Sequence, residues 1–166
     1  MSKTLILVRH AKSSWEVATL RDHERPLLPT GINRTNRVAS YLMNEGVSPD
    51  LIISSHAVRA FETAKILADK LGYPHHEIQI ESNIYYFDTE GLMDLTMALP
   101  DTKDVVFMVG HNPSMTQFAN MFLEEKLDYL PTTGVVSVSF ETEQWFQTPM
   151  AARRLNFYVS PKMLKS

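Results

Sequence analysis

The chain has 166 residues, of which 44% are hydrophobic and 21% charged, a composition typical of one ordinary globular domain. Its 16 basic and 19 acidic side chains give a net charge of −3, which argues against broad nucleic-acid binding because that relies on basic surfaces. Cysteine is absent, which excludes disulfides, thiolate metal sites and a cysteine nucleophile.

The apolar runs of the chain are short. The longest, residues 5–8 and 105–109, are far too short to cross a membrane. The first of them leads straight into Arg9 and His10, which is unlike a signal peptide. We therefore expect a cytoplasmic protein with no membrane partner, folded as a single domain over residues 1–166.

The first half of the chain predicts alternating strands and helices. Aliphatic runs predict short buried strands at 4–8 and 50–55. A helix is expected to begin with Thr30 as its N-cap and to end near Gly46, and its predicted apolar face consists of Ile32, Val38, Ala39 and Leu42. A second, alanine-rich helix spans 57–71 and ends at Gly72. This order predicts right-handed crossovers and a parallel sheet.

The second half continues the same alternation with late strands. An edge strand is predicted at 76–80, followed by an irregular aromatic segment at 81–88. The remaining predicted elements are a helix at 89–99, a strand at 104–110, a helix at 114–123 and strands at 135–140 and 154–159. Together they predict an α/β fold, a three-layer α/β/α sandwich with a mostly parallel sheet.

Polar side chains follow three of the predicted parallel strands. Arg9 and His10 end the first strand, Arg59 follows the second, and His111 ends the strand at 104–110. Because parallel strands meet at one carboxyl edge, we expect these four side chains to converge there. Arginine presents a rigid fork to phosphate oxygens, and a neutral histidine can attack phosphorus. The pattern therefore predicts a catalytic phosphoryl-transfer pocket that requires no metal and no cofactor.

Several sequence blocks, in the right order, carry a resemblance to a known family. They are LVRHA at 7–11, RPL at 25–27, SSHAVRA at 54–60, VGHNP at 109–113, PTTGV at 131–135 and PK at 161–162. On these residues the chain resembles the histidine phosphatase superfamily, with its phosphoglycerate-mutase-like fold. Within that superfamily it is similar to the small SixA-type phosphohistidine phosphatases.

The resemblance implies that His10 is the phospho-acceptor and that Arg9, Arg59 and His111 hold the phosphoryl oxygens. The chain departs from the commoner pattern at Ala11, where glycine is usual, as many SixA-type members do. It also carries Glu16 where mutases usually have an asparagine that contacts phosphate. A carboxylate would repel phosphate, so we expect Glu16 to point away, and this weakens a mutase interpretation.

A general acid is not obvious in the sequence. Asp88, Glu81 and Glu90 lie in the region from which the superfamily usually supplies one, but no pattern singles one out. A leaving imidazole has a reference pKa near 6.5, far below that of an alkoxide, so it depends less on a strong acid. This favours a nitrogen–phosphorus bond as the target.

Three further residues are candidates for substrate binding. Arg25 either reaches the substrate or pairs with Asp22 or Glu24. His56 either contacts the substrate or caps the following helix, and Ser14 either lines the mouth of the site or is an ordinary loop residue. The aromatic run at 85–87 either grips a substrate protein or packs under its loop, and we expect the packing role.

We therefore expect a metal-independent phosphatase that acts on a phosphorylated protein, for example a histidine phosphotransfer domain, through a phosphohistidine at His10. A phosphatase for a small phosphorylated metabolite is the enzymatic alternative. A non-catalytic phosphate-binding regulatory module is the alternative of another class, although binding alone would not need a nucleophile.

Overall fold

The strands form one six-stranded sheet. A computed structural model describes residues 2–14 and 21–164 of the chain. Its strands are β1 (Lys3–Arg9), β2 (Leu51–Ser54), β3 (Gln79–Ile80), β4 (Val105–Gly110), β5 (Val135–Phe140) and β6 (Arg153–Val159). Across the sheet their order is β3-β2-β4-β1-β5-β6.

The four strands β3, β2, β4 and β1 pair in parallel. Strand β5 pairs antiparallel with β1, and β6 pairs antiparallel with β5. The prediction of a mostly parallel sheet is therefore confirmed. The edge strand is shorter than predicted, because the chain forms a 3₁₀ turn at His75–Glu77 and joins the sheet only at Gln79.

Helices cover both faces of the sheet. They are α1 (Pro29–Asn44), α2 (Val58–Leu71), α3 (Thr89–Met97) and α4 (Ser114–Asn120). One core lies between the sheet and the pair α1 and α2, and the other lies between the sheet and the pair α3 and α4. The predicted three-layer arrangement is confirmed.

Strand β1 lies at the centre of both cores. Leu5 and Leu7 face the α3 and α4 side, while Ile6 and Val8 face the α1 and α2 side. Because both faces are covered, the strand is continuously apolar rather than alternating. The polar residues that follow it therefore emerge only at its carboxyl end.

Two details of α1 differ from the prediction. Thr30 is not the N-cap, because the helix already begins at Pro29, whose fixed φ and missing N–H suit a first helical position. Ile32 is 40% exposed, and the buried positions of this turn are instead Gly31 and Thr35. The buried Thr35 hydroxyl is satisfied by the Gly31 carbonyl oxygen at 2.8 Å.

Helix α4 is shorter than the predicted 114–123. It ends at Asn120, whose side-chain amide accepts from the Leu127 N–H at 2.8 Å and donates to the Leu127 carbonyl at 2.9 Å. This paired contact turns the chain away from the helix. Within the described ranges, no helix has the length and apolar character needed to span a bilayer.

Candidate active site

The register of the sheet brings the predicted histidines to one edge. Arg9 of β1 lies opposite Gly110 of β4, so His10 and His111 follow at adjacent strand ends. The His10 N–H continues the ladder by donating to the Gly110 carbonyl at 3.0 Å, and the Ser55 N–H donates to the Val109 carbonyl at 3.1 Å. The carboxyl ends of β1, β2 and β4 therefore share one pocket.

His10 is 7% exposed and has a defined tautomer. Its Nδ1 lies 2.7 Å from the carbonyl oxygen of Ala11. Because a carbonyl only accepts, Nδ1 carries the hydrogen and Nε2 carries the lone pair. The Nε of Arg59 donates towards that Nε2 at 3.4 Å. The nitrogen that a nucleophile needs thus faces a cation.

The surroundings of His10 keep it neutral. Burial lowers its pKa to about 4, and the positive charges of Arg59, Arg9 and Arg25 act in the same direction against the hydrogen bond to Ala11. At neutral pH the imidazole is therefore uncharged, which is the form that attacks phosphorus.

His111 lies beside His10, with ring centroids 5.2 Å apart. Its Nε2 is 2.8 Å from the Ser55 hydroxyl oxygen, which already accepts from the Ala57 N–H at 3.2 Å. When the hydroxyl hydrogen is donated to His111 Nε2, the ring hydrogen lies on Nδ1. That Nδ1 is buried and has no hydrogen-bond partner within the described residues, so it is the atom available to a phosphoryl oxygen. Burial, with His10 and Arg59 nearby, lowers the His111 pKa to about 3.

Arg59 is 5% exposed and enters the pocket from the first turn of α2. Its Nη1 donates to the Asp22 carbonyl at 2.6 Å and its Nη2 to the Asp22 carboxylate at 2.9 Å. Thr63 also ties α2 to the loop after β1, because its Oγ1 donates to the Arg59 carbonyl and accepts from the Ala11 N–H. Both ends of Arg59 are thereby fixed.

Asp22 is the centre of a small polar network. From the sequence, Asp22 was considered only as a partner of Arg25. Its carboxylate binds Arg59, accepts from the Arg25 Nε at 3.1 Å and accepts from the Tyr85 hydroxyl. Burial alone would raise the pKa of Asp22, but the hydrogen bonds from Tyr85 and Arg59 outweigh it and lower the pKa to about 2. Asp22 therefore remains a carboxylate and orients cations.

Arg9 is half-buried next to His10. Its Nη1 donates to the Leu130 carbonyl at 3.1 Å, and the same carbonyl accepts from the Asn112 side chain at 2.8 Å. The Arg9 Nε is buried without a partner in the part of the chain that the structure describes. One donor of this guanidinium is therefore unused.

The three candidates for substrate binding have different contacts. Arg25 pairs with Asp22 and donates from Nη1 to the Ser13 hydroxyl at 3.0 Å. Ser14 is buried, and its N–H donates to the Pro26 carbonyl at 2.8 Å, next to a bridge between Ser13 and Leu27. His56 does not cap α2 with its side chain.

His56 instead belongs to an aromatic wall formed by His56, Tyr85 and Tyr86. The Tyr85 ring lies edge-on to His111 at 5.1 Å, and the His56 ring is 5.2 Å from Tyr85. Tyr86 is 75% exposed and packs edge-on against Tyr85. The wall thus runs from His111 to the surface. The expectation of packing under the loop is right for Phe87, which contacts the core, and wrong for Tyr86.

Comparison with known proteins identifies the family. The sequence model of the histidine phosphatase superfamily (branch 1) matches residues 5–104. The chain belongs to this superfamily.

Solved structures of SixA proteins are similar to this chain over almost its whole length. The protein histidine phosphatase SixA complexed with tungstate superposes with a TM-score of 0.82 at 21% identity, covering 98% of this chain and 99% of the other. A putative phosphohistidine phosphatase SixA from Agrobacterium tumefaciens gives a TM-score of 0.77 at 26% identity, with 96% and 99% covered. These similarities establish the phosphoglycerate-mutase-like fold.

Sequence relatives are longer than this chain. An uncharacterised chloroplastic protein of Arabidopsis thaliana is 35% identical over 130 residues, which is 73% of this chain and 59% of that protein. Bisphosphoglycerate-dependent phosphoglycerate mutases of rhizobia also match, for example that of Rhizobium etli, but the match spans only 36% of its length.

The predicted general-acid candidates have other contacts. The Asp88 carboxylate caps α3 by accepting from the Gly91 N–H at 3.0 Å, and Glu81 accepts from the Asn83 N–H at 3.3 Å. Glu90 is exposed in the first turn of α3. Glu16 lies outside the described residues. Within residues 2–14 and 21–164, no group of three or more histidine, cysteine, aspartate or glutamate side chains is arranged to hold a metal ion.

Proposed function

We propose that this histidine phosphatase hydrolyses phosphohistidine on proteins through a covalent phosphohistidine at His10. The observation that carries the proposal is the neutral His10 whose lone-pair nitrogen, Nε2, faces Arg59 at 3.4 Å and adjoins His111. A nucleophile with its anion-binding partners already in place supports turnover rather than binding alone.

The reaction takes two displacements at phosphorus. In the first, the lone pair of His10 Nε2 forms a bond to phosphorus while the bond to the leaving imidazole breaks. The leaving nitrogen keeps the bonding electrons, and the ring departs as neutral imidazole because its other nitrogen has taken up a proton from solvent. In the second, water attacks phosphorus, His10 Nε2 recovers its electron pair, and phosphate departs with the released proton going to solvent. Arg59 and His111 hold the charged oxygens in both steps.

The acids around the pocket support an imidazole leaving group. Asp22 is held ionised by Arg59 and Tyr85, and Asp88 and Glu81 cap helices. An alkoxide would need a proton from a well-placed acid, whereas imidazole leaves with much less help. A site with this set of carboxylates suits a nitrogen–phosphorus bond better than a sugar phosphate.

The aromatic wall gives a second line of support. His56, Tyr85 and Tyr86 extend from His111 to the surface, and a flat imidazole can stack on such rings. Tyr86→Ala should therefore lower kcat/KM for phosphohistidine several-fold more than for phosphoramidate, which has no ring. Phe146→Ala, which removes an exposed aromatic side chain elsewhere, is the matched control.

The decisive comparison is kcat/KM for a phosphohistidine peptide, the matched phosphoserine peptide and a panel of phosphorylated metabolites, each with and without chelator. We expect the phosphohistidine peptide to exceed every other substrate by about two orders of magnitude, with no effect of chelator. A faster metabolite would favour the small-molecule phosphatase, which the matching mutases also support. Phosphate binding without any turnover would favour the regulatory module.

A further inference from the structure

A second basic pocket adjoins the catalytic one. It is an open cavity of about 500 Å³ between the middle of α1, the segment at 129–132 and the carboxyl-terminal segment. Four cations line it, namely Arg9, Arg34, Arg37 and Lys162, and none of the described residues that line it is an aspartate or glutamate. This concentration of positive charge is local, because the whole chain carries a net charge of −3.

The geometry of α1 explains how two of these cations meet. Arg34 and Arg37 are three residues apart and so lie on the same side of the helix. The Arg37 Nη1 donates to the Leu164 carbonyl at 3.1 Å, which holds the carboxyl-terminal segment, and with it Lys162, against α1. Like charges held this close repel one another, and an anion in the pocket would relieve that repulsion.

Arg9 connects this pocket to the catalytic one. It lines the basic pocket, yet it directly precedes His10 in the chain and its charge lowers the pKa of His10. Its buried Nε has no partner within the described residues, so a hydrogen-bond donor is left unused where the two pockets meet. A ligand that delivers a phosphoryl group to His10 would therefore bring its neighbouring groups to the basic pocket.

The rim of the pocket resembles a protein-binding surface. Tyr129 lines it and is 64% exposed, and Met163, next to Lys162, is 57% exposed. Exposed tyrosine, methionine and arginine are the side chains that protein interfaces favour. A pocket built for a small bisphosphate would more commonly enclose its ligand.

We infer that this basic pocket binds acidic side chains that flank the phosphohistidine of a protein substrate. The inference rests on the proposed function, and it adds a specificity site outside the catalytic residues. Charge complementarity at this place would select partners and speed their encounter, as it does at other interfaces.

Two phosphohistidine peptides test the inference, one flanked by glutamates and one by glutamines. We expect the wild-type kcat/KM ratio of acidic to neutral peptide to exceed about ten. Arg34→Glu and Lys162→Glu should each bring that ratio close to one. Lys70→Glu, the same charge change about 16 Å along α2 from Arg59, should keep the wild-type ratio. A wild-type ratio near one, or a ratio that both pocket variants retain, would overturn the inference.

Direct binding separates this inference from the proposed function. A fluorescent decapeptide of glutamates should bind the wild type at least tenfold more tightly than Arg34→Glu, with Lys70→Glu like the wild type. If p-nitrophenyl phosphate is hydrolysed but phosphohistidine peptides are not, the proposed function fails. The binding of the glutamate decapeptide then decides by itself whether the basic pocket recognises acidic side chains. Equal binding by all three proteins, or displacement only by a bisphosphorylated small molecule, would contradict the acidic-peptide assignment.

Discussion

The Nε of Arg59 lies 3.4 Å from the Nε2 of His10, while the two Nη atoms of the same guanidinium are held by Asp22. The lone pair of His10, the proposed nucleophile, therefore faces the cation that is proposed to hold the phosphoryl group. A phosphoryl group that approaches His10 meets Arg59 at the point of attack. Asp22 holds the guanidinium in this orientation through its two Nη atoms.

Arg59→Ala should lower kcat by about 100- to 1,000-fold, the effect of removing one preorganised donor to developing charge. Arg59→Lys keeps the charge but loses the fork, so it should retain more activity than the alanine variant. Steady-state kinetics with p-nitrophenyl phosphate measure both effects, and circular dichroism checks that the variants are folded. Lys65→Ala, on the same helix, is the control. A rate for Arg59→Ala within twofold of the wild type would mean that Arg59 does not act on the phosphoryl group.

Asp22→Asn should separate binding from rate. Removing the carboxylate leaves Arg59 charged but less well aligned, so kcat should fall. Because a negative charge next to the anion site is removed, the inhibition constant of inorganic phosphate should become about threefold lower. An effect of this size is expected for a charge that is partly exposed to solvent. Glu24→Gln makes the same charge change two residues away. Equal inhibition constants in the two variants would rule out the proposed role of Asp22.

Gly31→Ala should disturb the loop that follows His10. A Cβ at this position would lie 2.3 Å from the Lys12 carbonyl oxygen and 3.0 Å from its nitrogen. The backbone must move to accept it, so we expect a loss of about 1–3 kcal/mol in the free energy of unfolding, despite the better helix propensity of alanine. Urea unfolding and kcat are the measurements. The control is the exposed Asn36→Ala on the same helix, and equal stability of the two variants would contradict the close approach.

Stability should fall as the pH drops below about 6.5. The pKa values of His10 and His111 are lowered to about 4 and about 3 in the folded protein, against about 6.5 when unfolded. Between these values the unfolded chain binds more protons, so the free energy of unfolding decreases with falling pH. Asp22, with its pKa near 2, would add a separate loss only below pH 4.

Urea unfolding between pH 7 and pH 4 measures the slope of the free energy of unfolding against pH. This slope should approach the value expected when the unfolded chain binds two more protons than the folded protein. His111→Gln should reduce it by about one proton, and the exposed His76→Gln should leave the His10 and His111 contribution in place. The same slope in the wild type and in His111→Gln would show that His111 is not buried in its neutral form.

The sequence was sufficient to predict the sheet and the convergence of His10, Arg59 and His111. Their strands are aliphatic runs that end abruptly in polar residues, and parallel topology forces such ends to one edge. It was not sufficient for Asp22 and Tyr85. These two meet only because the loop at 21–25 and the segment at 82–85 fold over the same arginine, a contact between residues 63 positions apart that local patterns do not encode.

Two predictions for α1 were wrong, one for its first residue and one for its buried face. Thr30 is a good N-cap by type, but Pro29 begins the helix one residue earlier. Ile32 is apolar by type, but α1 approaches the segment after β1 so closely at Gly31 that the glycine occupies the buried position. The second outcome follows from packing against Lys12, which lies outside the helix in sequence.

The most direct test of the account is trapping of the phosphoenzyme. The protein is mixed with p-nitrophenyl phosphate, quenched within milliseconds and digested, and the phosphorylated peptide is identified by mass spectrometry. We predict one phosphoryl group on His10, stable in base and labile in acid, absent from His10→Ala and present in His76→Ala. A phosphoryl group on another residue, or turnover that persists in His10→Ala, would contradict the assignment of His10 as the nucleophile.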